Sequence, residues 1–229
     1  MNRSDIFARN VLHWGEATQQ TLAESCVLVA GVGGLGCAVA ELLARAGVGT
    51  LLLVDSGVID PPDLNRQILY TLADVGRPKV DAAAEKLAAI HGQTTIFTFH
   101  GRIEPNSPLR DALFAHRIDG IADCFDTFSS RFVLEQYLRD GMFLVHGGIQ
   151  NDYGQITTIK PPVTKTLRAI YPNAEDACSP IPVCPQIVVC IASLMVNELL
   201  KNLCGTPQLL NTLLIVELSD FSFFKVTLQ

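Results

Sequence analysis

From residue 26 onward, short apolar runs alternate with amphipathic stretches. Residues 26–31 (CVLVAG) are unbroken in hydrophobicity, the pattern of a strand buried on both faces. Residues 35–46 follow with Ala and Leu at helical spacing and stop at Gly47, a residue suited to closing a helix. Residues 50–55 (TLLLVD) predict a second strand, residues 79–90 an Ala-rich helix and residues 94–99 a third strand. Strand, helix and strand continue at 119–123, 127–138 and 143–146. This β-α-β-α order predicts a Rossmann-like, doubly wound α/β fold with a mainly parallel sheet.

After Gly147 the texture changes. Residues 153–159 predict a strand that starts a C-terminal antiparallel extension. Residues 160–185 carry six of the twelve prolines and predict an irregular crossover loop rather than a linker. Residues 185–204 form an apolar helix closed by Gly205, and 211–217 and 221–228 predict two strands joined at Ser219-Asp220. The N-terminal segment, 1–25, is expected to be helical and to pack on the outside. No repeat or low-complexity tract interrupts the chain, so residues 1–229 read as one domain.

Composition narrows the function classes. A net charge of −6 argues against a nucleic-acid surface, which needs clustered Lys and Arg. The longest apolar run, 187–196, is half a membrane span, and no basic n-region precedes an apolar stretch in residues 1–20. Neither a membrane nor a signal peptide is therefore expected. Seven cysteines without a framework of spacings fit reduced thiols and a cytoplasmic protein.

The sharpest chemical signal is Gly31-Val32-Gly33-Gly34-Leu35-Gly36, a G-x-G-x-x-G between a strand and the helix it opens. Gly31, Gly33, Gly34 and Gly36 let the backbone approach a phosphate chain, while the helix N-terminus supplies N–H groups and positive dipole. Asp55 ends the second strand, where an acid meets a ribose hydroxyl pair. A nicotinamide or flavin dehydrogenase fits equally well up to this point. Asp63-Leu64-Asn65-Arg66-Gln67 and Val75-Gly76-Arg77-Pro78-Lys79 then add cations. Hydride transfer needs no second cation beside a pyrophosphate, whereas attack on a triphosphate builds charge that Arg66 and Lys79 can offset. Each cation taken alone also reads as a solvated surface charge. Asp126 follows a strand at the sheet mouth and suits a hard cation; Asp123 reads better as a turn cap. His100, His116 and His146 show no partner spacing, although His146 ends a strand near the mouth.

The series GVGGLG, AGVGTLLLVD, DLNRQ, VGRPKV and DCFDTFSSR resembles, in order and spacing, the adenylating domain of the MoeB/ThiF/HesA family, itself related to the ubiquitin-activating enzymes. The likeness runs from about residue 9 to about residue 201. It implies ATP and Mg²⁺ as cofactors, with Gly34 against the nucleotide, Asp55 on the ribose, Arg66 and Lys79 on the phosphates and Asp126 organising Mg²⁺. Arg9 resembles an arginine donated across a homodimer interface to the partner's ATP. Cys178 aligns with a cysteine that some members use to take over the activated carboxylate or sulfur; an inert thiol is the alternative.

The chain also departs from that pattern. Pro62-Asp63 stands where members often have Ser-Asn, Thr127 replaces the Asn after the metal aspartate, and Glu135 replaces an Asn on the following helix. Asp63, Asn65 and Thr127 are still expected to lie at the nucleotide. The paired C-x-x-C ligands of the family's zinc site are missing, so no zinc is expected. Cys178 and Cys184 with a histidine are the one remaining arrangement. The implied function is an adenylyltransferase that activates the C-terminal glycine carboxylate of a ubiquitin-like sulfur carrier ending in Gly-Gly. Alternatives are a dehydratase-type relative acting on a small or tRNA-borne carboxylate, and a non-catalytic ATP-binding scaffold.

Overall fold

The computed structural model describes residues 3–228. The chain runs α1 (Arg3–Ile6), α2 (Ala8–Glu24), β1 (Cys26–Ala30), α3 (Gly34–Ala46), β2 (Thr50–Asp55), α4 (Lys79–His91), β3 (Thr95–His100), α5 (Pro108–Phe114), β4 (Gly120–Asp123), α6 (Phe128–Glu135), β5 (Phe143–Gln150), β6 (Tyr153–Ile159), α7 (Leu167–Ile170), α8 (Pro185–Leu203), β7 (Thr212–Glu217) and β8 (Ser222–Thr227). Two short 3₁₀ turns, Pro61–Asn65 and Leu72–Asp74, lie between β2 and α4. The expected N-terminal helix is present; Met1 and Asn2 of that segment lie outside the described residues.

The strands form one eight-stranded sheet in the order β3-β2-β1-β4-β5-β6-β7-β8. β3 to β5 pair in parallel, and β5 to β8 pair antiparallel. β1 is buried along its whole length, and its residues alternate between two apolar cores. Val27 and Val29 face α3, α4 and α8, whereas Leu28 and Ala30 face Leu113 of α5 and Phe132 of α6. Burial on both faces is why β1 and β2 carry no polar alternation in sequence.

The chain leaves β1 toward β2 and β3 and then returns to the other side through β4. That reversal puts a crevice outside the carboxyl ends of β1 and β4, the general ligand position in open α/β sheets.

β5 continues four residues beyond the expected 143–146 because it pairs with β6 from Leu144↔Ile159 to Gln150↔Tyr153. Gly147 and Gly148 masked this continuation. A Cβ on Gly147 would stand 2.1 Å from the Met195 sulfur of α8, so a larger residue there would displace the Met195 side chain from the strand. α6 stops at Glu135, shorter than the expected 127–138; the four-residue α7 falls in the stretch expected to be irregular, and α5 in a stretch to which no element was assigned. α8 has 19 residues and a mean hydropathy of 1.4, long and apolar enough to cross a membrane. It instead buries Ile187, Val188, Ile191 and Met195 against the sheet and α3.

Candidate functional site

The glycine loop begins where β1 ends. A Cβ on Gly36 would lie 1.8 Å from the Gly31 carbonyl oxygen, so only glycine lets α3 start this close to the strand. Val32 is held on both sides of its peptide unit. Its N–H donates to Asp55 Oδ2 at 2.7 Å, and its carbonyl accepts from the Tyr70 hydroxyl at 2.8 Å. Burial pushes the Tyr70 phenol up, so it stays neutral. Asp55 Oδ1 accepts the Gly57 N–H at 2.7 Å, so each carboxylate oxygen holds one backbone donor and retains capacity for a ribose hydroxyl. Gly34 sits beneath Val188 of α8 and Arg66 Cγ, 3.3 and 3.5 Å from where its Cβ would be.

Lys79 opens α4, directly after Pro78, and its backbone N–H donates to the Gly57 carbonyl at 3.0 Å. Its stem crosses Gly57 and brings Nζ to 3.1 Å from Asp63 Oδ2. The 3₁₀ turn Pro61–Asn65 aims Asp63 at that ammonium. Arg66 Nη1 donates to the Pro62 carbonyl and to Asn65 Oδ1, and its Nη2 lies 3.6 Å from Asp63 Oδ1. Gln67 Nε2 donates to Asp63 Oδ1 at 2.6 Å and faces Gly33. The fold thus gathers Gly31, Gly33, Gly34, Gly36, Asp55, Asp63, Arg66 and Lys79 into one crevice. Asn65 stands at its rim with its side chain engaged by Arg66.

The opposite wall comes from β4, β5 and α6. Asp123, fully buried at the end of β4, accepts from His146 Nδ1 at 2.7 Å and from the Phe125 N–H at 3.3 Å. The turn-cap role expected for Asp123 is present, but His146 is no ordinary residue. It sits beside Asp123 in the register of the parallel β4–β5 pair, is 0% exposed, and its Nε2 has no partner among the described residues. Burial, with Arg131 nearby, lowers the His146 pKa and keeps the imidazole neutral. The neutral imidazole has one protonated nitrogen, and facing the Asp123 carboxylate that nitrogen is Nδ1. Arg131 donates through Nε and Nη2 to the Phe125 carbonyl and through Nη2 to the Gly147 carbonyl, tying the β4–α6 loop to β5.

That loop carries Asp126, which is exposed and makes no hydrogen bond or ion pair among the described residues. Thr127, not Asp126, is the N-cap of α6. Among the described residues no three His, Cys, Asp or Glu side chains converge on a metal-holding group. One free carboxylate at the crevice mouth fits a magnesium ion, which characteristically binds through one or two carboxylates plus phosphates and water.

Cys178 is exposed on the segment between α7 and α8. Asp176, two residues earlier, accepts the Ser129 N–H at 2.9 Å, and hydrogen bonds from Ser129 hold its carboxyl below the usual range. The crossover segment is therefore docked at the start of α6, on the same wall as Asp126. Glu135 is not at the crevice mouth: its Oε1 accepts the Leu167 N–H at 2.6 Å and fixes α7, while burial raises its pKa.

Arg9 is not brought to the cluster. Its neighbour Asn10 donates to the Arg45 and Ala46 carbonyls at the C-terminal end of α3. The glycine loop lies at the other end of this 13-residue helix, about 20 Å away at 1.5 Å per residue.

The ThiF family profile matches residues 7–229. The chain belongs to the ThiF family. Protein HesA of Nostoc sp. (strain PCC 7120) is 36% identical over 219 residues, 93% of this chain and 84% of the relative. The molybdopterin-synthase adenylyltransferase of Escherichia coli (strain K12) is 34% identical over 200 residues, 82% and 76% of the two chains. A crystal structure of E. coli MccB with ATP has a TM-score of 0.82 at 19% identity, covering 100% of this chain and 72% of that one, which is a likeness of fold.

Gln67, Tyr70, Arg131 and His146 belong to the architecture of this ThiF-family crevice yet carried no role in the sequence reading. Gln67 and Arg131 lie inside the diagnostic motifs DLNRQ and DCFDTFSSR, a signal sufficient to single them out. Tyr70 and His146 act on residues distant in sequence, 38 and 23 positions away, and carry no local signature.

Proposed function

We propose that this chain is an ATP-dependent adenylyltransferase that activates the C-terminal glycine carboxylate of a small ubiquitin-like sulfur-carrier protein. The observation that carries the reading is the convergence of Lys79 and Arg66 around Asp63, beside the N-terminus of α3. A site for a dinucleotide needs the glycine loop and Asp55 alone. Two cations are suited to a phosphate chain whose α-phosphorus is attacked, because negative charge grows there and on the departing pyrophosphate. Backbone N–H groups of the loop and the α3 dipole cradle the chain, and Asp55 takes the ribose. A magnesium ion bound with the nucleotide would rest on Asp126 and supply further charge compensation. The carrier's carboxylate then displaces pyrophosphate and leaves an acyl-adenylate, with positioning rather than covalent chemistry supplying most of the rate.

The same reading makes residues 1–229 one adenylating unit, works in the cytoplasm with its seven thiols reduced, and takes a homodimer as the active form. The distance of Arg9 from its own crevice supports the dimer: if Arg9 contacts a nucleotide, that nucleotide is in the partner. Pyrophosphate exchange into ATP tests the activity. Label should enter ATP only with a carrier bearing an intact Gly-Gly terminus. Tight NADH binding without ATP affinity would sink the reading.

A further inference from the structure

Asp63 stands in the crevice as a counter-ion for the groups that would bind phosphate. Its carboxylate and the Lys79 ammonium are both largely buried, with side chains 14% and 15% exposed, and lie 3.1 Å apart. Arg66 leans on the other oxygen at 3.6 Å, and Gln67 donates to that oxygen at 2.6 Å. Asp55 is the second carboxylate of the crevice and Asp126 waits at its mouth. The two cations are therefore matched by acids before any ligand arrives. A polyanionic phosphate chain entering alone would have to break the Lys79–Asp63 pair and leave a carboxylate facing phosphate oxygens in a region of low water access, which opposes binding strongly.

Resting on the nucleotide reading above, we infer that Asp63 makes this crevice selective for the divalent-metal complex of the nucleotide and disfavours the metal-free polyanion. A bound divalent cation lowers the charge of the phosphate chain and can accept the Asp63 carboxylate as an oxygen ligand, directly or through water. Lys79 and Arg66 are then released to the phosphates. Gln67 allows the idea to be tested cleanly. Its Oε1 is buried and has no partner among the described residues. An amide at position 63 can donate to that oxygen after Gln67 turns over, so Asp63→Asn removes the charge while keeping the contact.

The experiment is calorimetric titration of ATP, without carrier, in EDTA and in excess Mg²⁺, for wild type, Asp63→Asn and Asp63→Ser, with thermal unfolding to certify each fold. Wild type should bind Mg–ATP well and metal-free ATP at least about tenfold more weakly, since a charge-assisted pair must be broken. In EDTA the folded variants should gain about tenfold or more, and the gap to wild type should narrow in Mg²⁺. Equal wild-type affinity with and without metal overturns the inference without recourse to any variant. Wild type that binds Mg–ATP alongside folded variants that show no gain in EDTA overturns it while leaving the nucleotide reading intact. No binding of ATP by any of the proteins under either condition overturns both.

Discussion

Lowering the pH should loosen the wall that carries Asp126, and His146 sets where. The folded chain holds His146 neutral because burial, and then Arg131, lower its pKa, whereas the unfolded chain restores the ordinary 6.5. Below pH 6.5 the unfolded state therefore takes up a proton that the folded state refuses, and stability falls with falling pH. Above 6.5 the imidazole is neutral in both states and its contribution is flat. The slope is at most about 1.4 kcal/mol per pH unit for one group. For a chain of this size that amounts to roughly 3–6 °C in melting temperature per pH unit. Melts monitored by near-UV circular dichroism at pH 7.5, 6.5 and 5.5 measure it, with His146→Asn as comparison. The Asn amide can still donate to Asp123 but does not titrate. The variant should start less stable, because a ring has been removed from a filled site, and should lose less on acidification. His13, His91, His100 and His116 remain in both proteins and cancel. Asp74 and Asp176, whose pKa values are lowered, lose their contributions only below their ordinary 3.8. Glu135, raised from 4.5, acts in the opposite sense and equally in both. Identical slopes between pH 6.5 and 5.5 would refute the assignment of a buried neutral imidazole.

Lys79→Ala should weaken ATP binding by tenfold or more, since one charge-assisted contact is worth about 1.5–3 kcal/mol; unchanged calorimetric affinity would remove Lys79 from the phosphate site. Arg9→Ala should slow pyrophosphate exchange while light scattering still reports twice the 24.8 kDa chain mass, and a fully active monomer would exclude the trans role. Gly36→Ala should abolish nucleotide binding or folding, because its Cβ would press on the Gly31 carbonyl oxygen; a folded variant with wild-type affinity contradicts the tight turn. Cys178→Ser should leave pyrophosphate exchange intact, and a carrier conjugate trapped in wild type but missing in the variant, seen by mass spectrometry, would show that covalent transfer follows adenylation.

β1, β2 and β4 were legible because strands buried on both faces have no polar alternation to obscure them. The exposed edge strand β3 was legible from its β-rich composition, whereas α5, between β3 and β4, was not anticipated. β6 was equally plain, and Tyr153–Ile159 matches the expectation residue for residue. β5 was cut short where Gly147 and Gly148 interrupt its apolar run, since the neighbours of those glycines, Met195 of α8 for Gly147 and Gln155 of β6 for Gly148, come from further along the chain. In the site, the glycine loop, Asp55, Arg66 and Lys79 were readable because each stands in a short local motif. His146 was not, because its meaning lies in strand register: the parallel pairing of β4 with β5 puts it opposite Asp123, and no spacing rule encodes that.

Asp63 shows how far a sequence departure can be taken and where the fold must finish the argument. In sequence, a carboxylate where relatives carry a neutral donor reads either as a weakened nucleotide contact or as a shift toward the metal. The 3₁₀ turn Pro61–Asn65 decides its direction: the Asp60 N–H donates to Asp63 Oδ2 at 3.2 Å, the same oxygen that meets Lys79. Asp63 is thus fixed by its own turn before the ammonium arrives, and Lys79 is fixed by the start of α4 over Gly57. Asp63 cannot swing away without losing the Asp60 N–H, whereas the Lys79 ammonium is held by the carboxylate and by the packing of its stem over Gly57. The pair is consequently a property of the folded crevice rather than a chance meeting of flexible surface charges, and any phosphate that reaches Lys79 must contend with it.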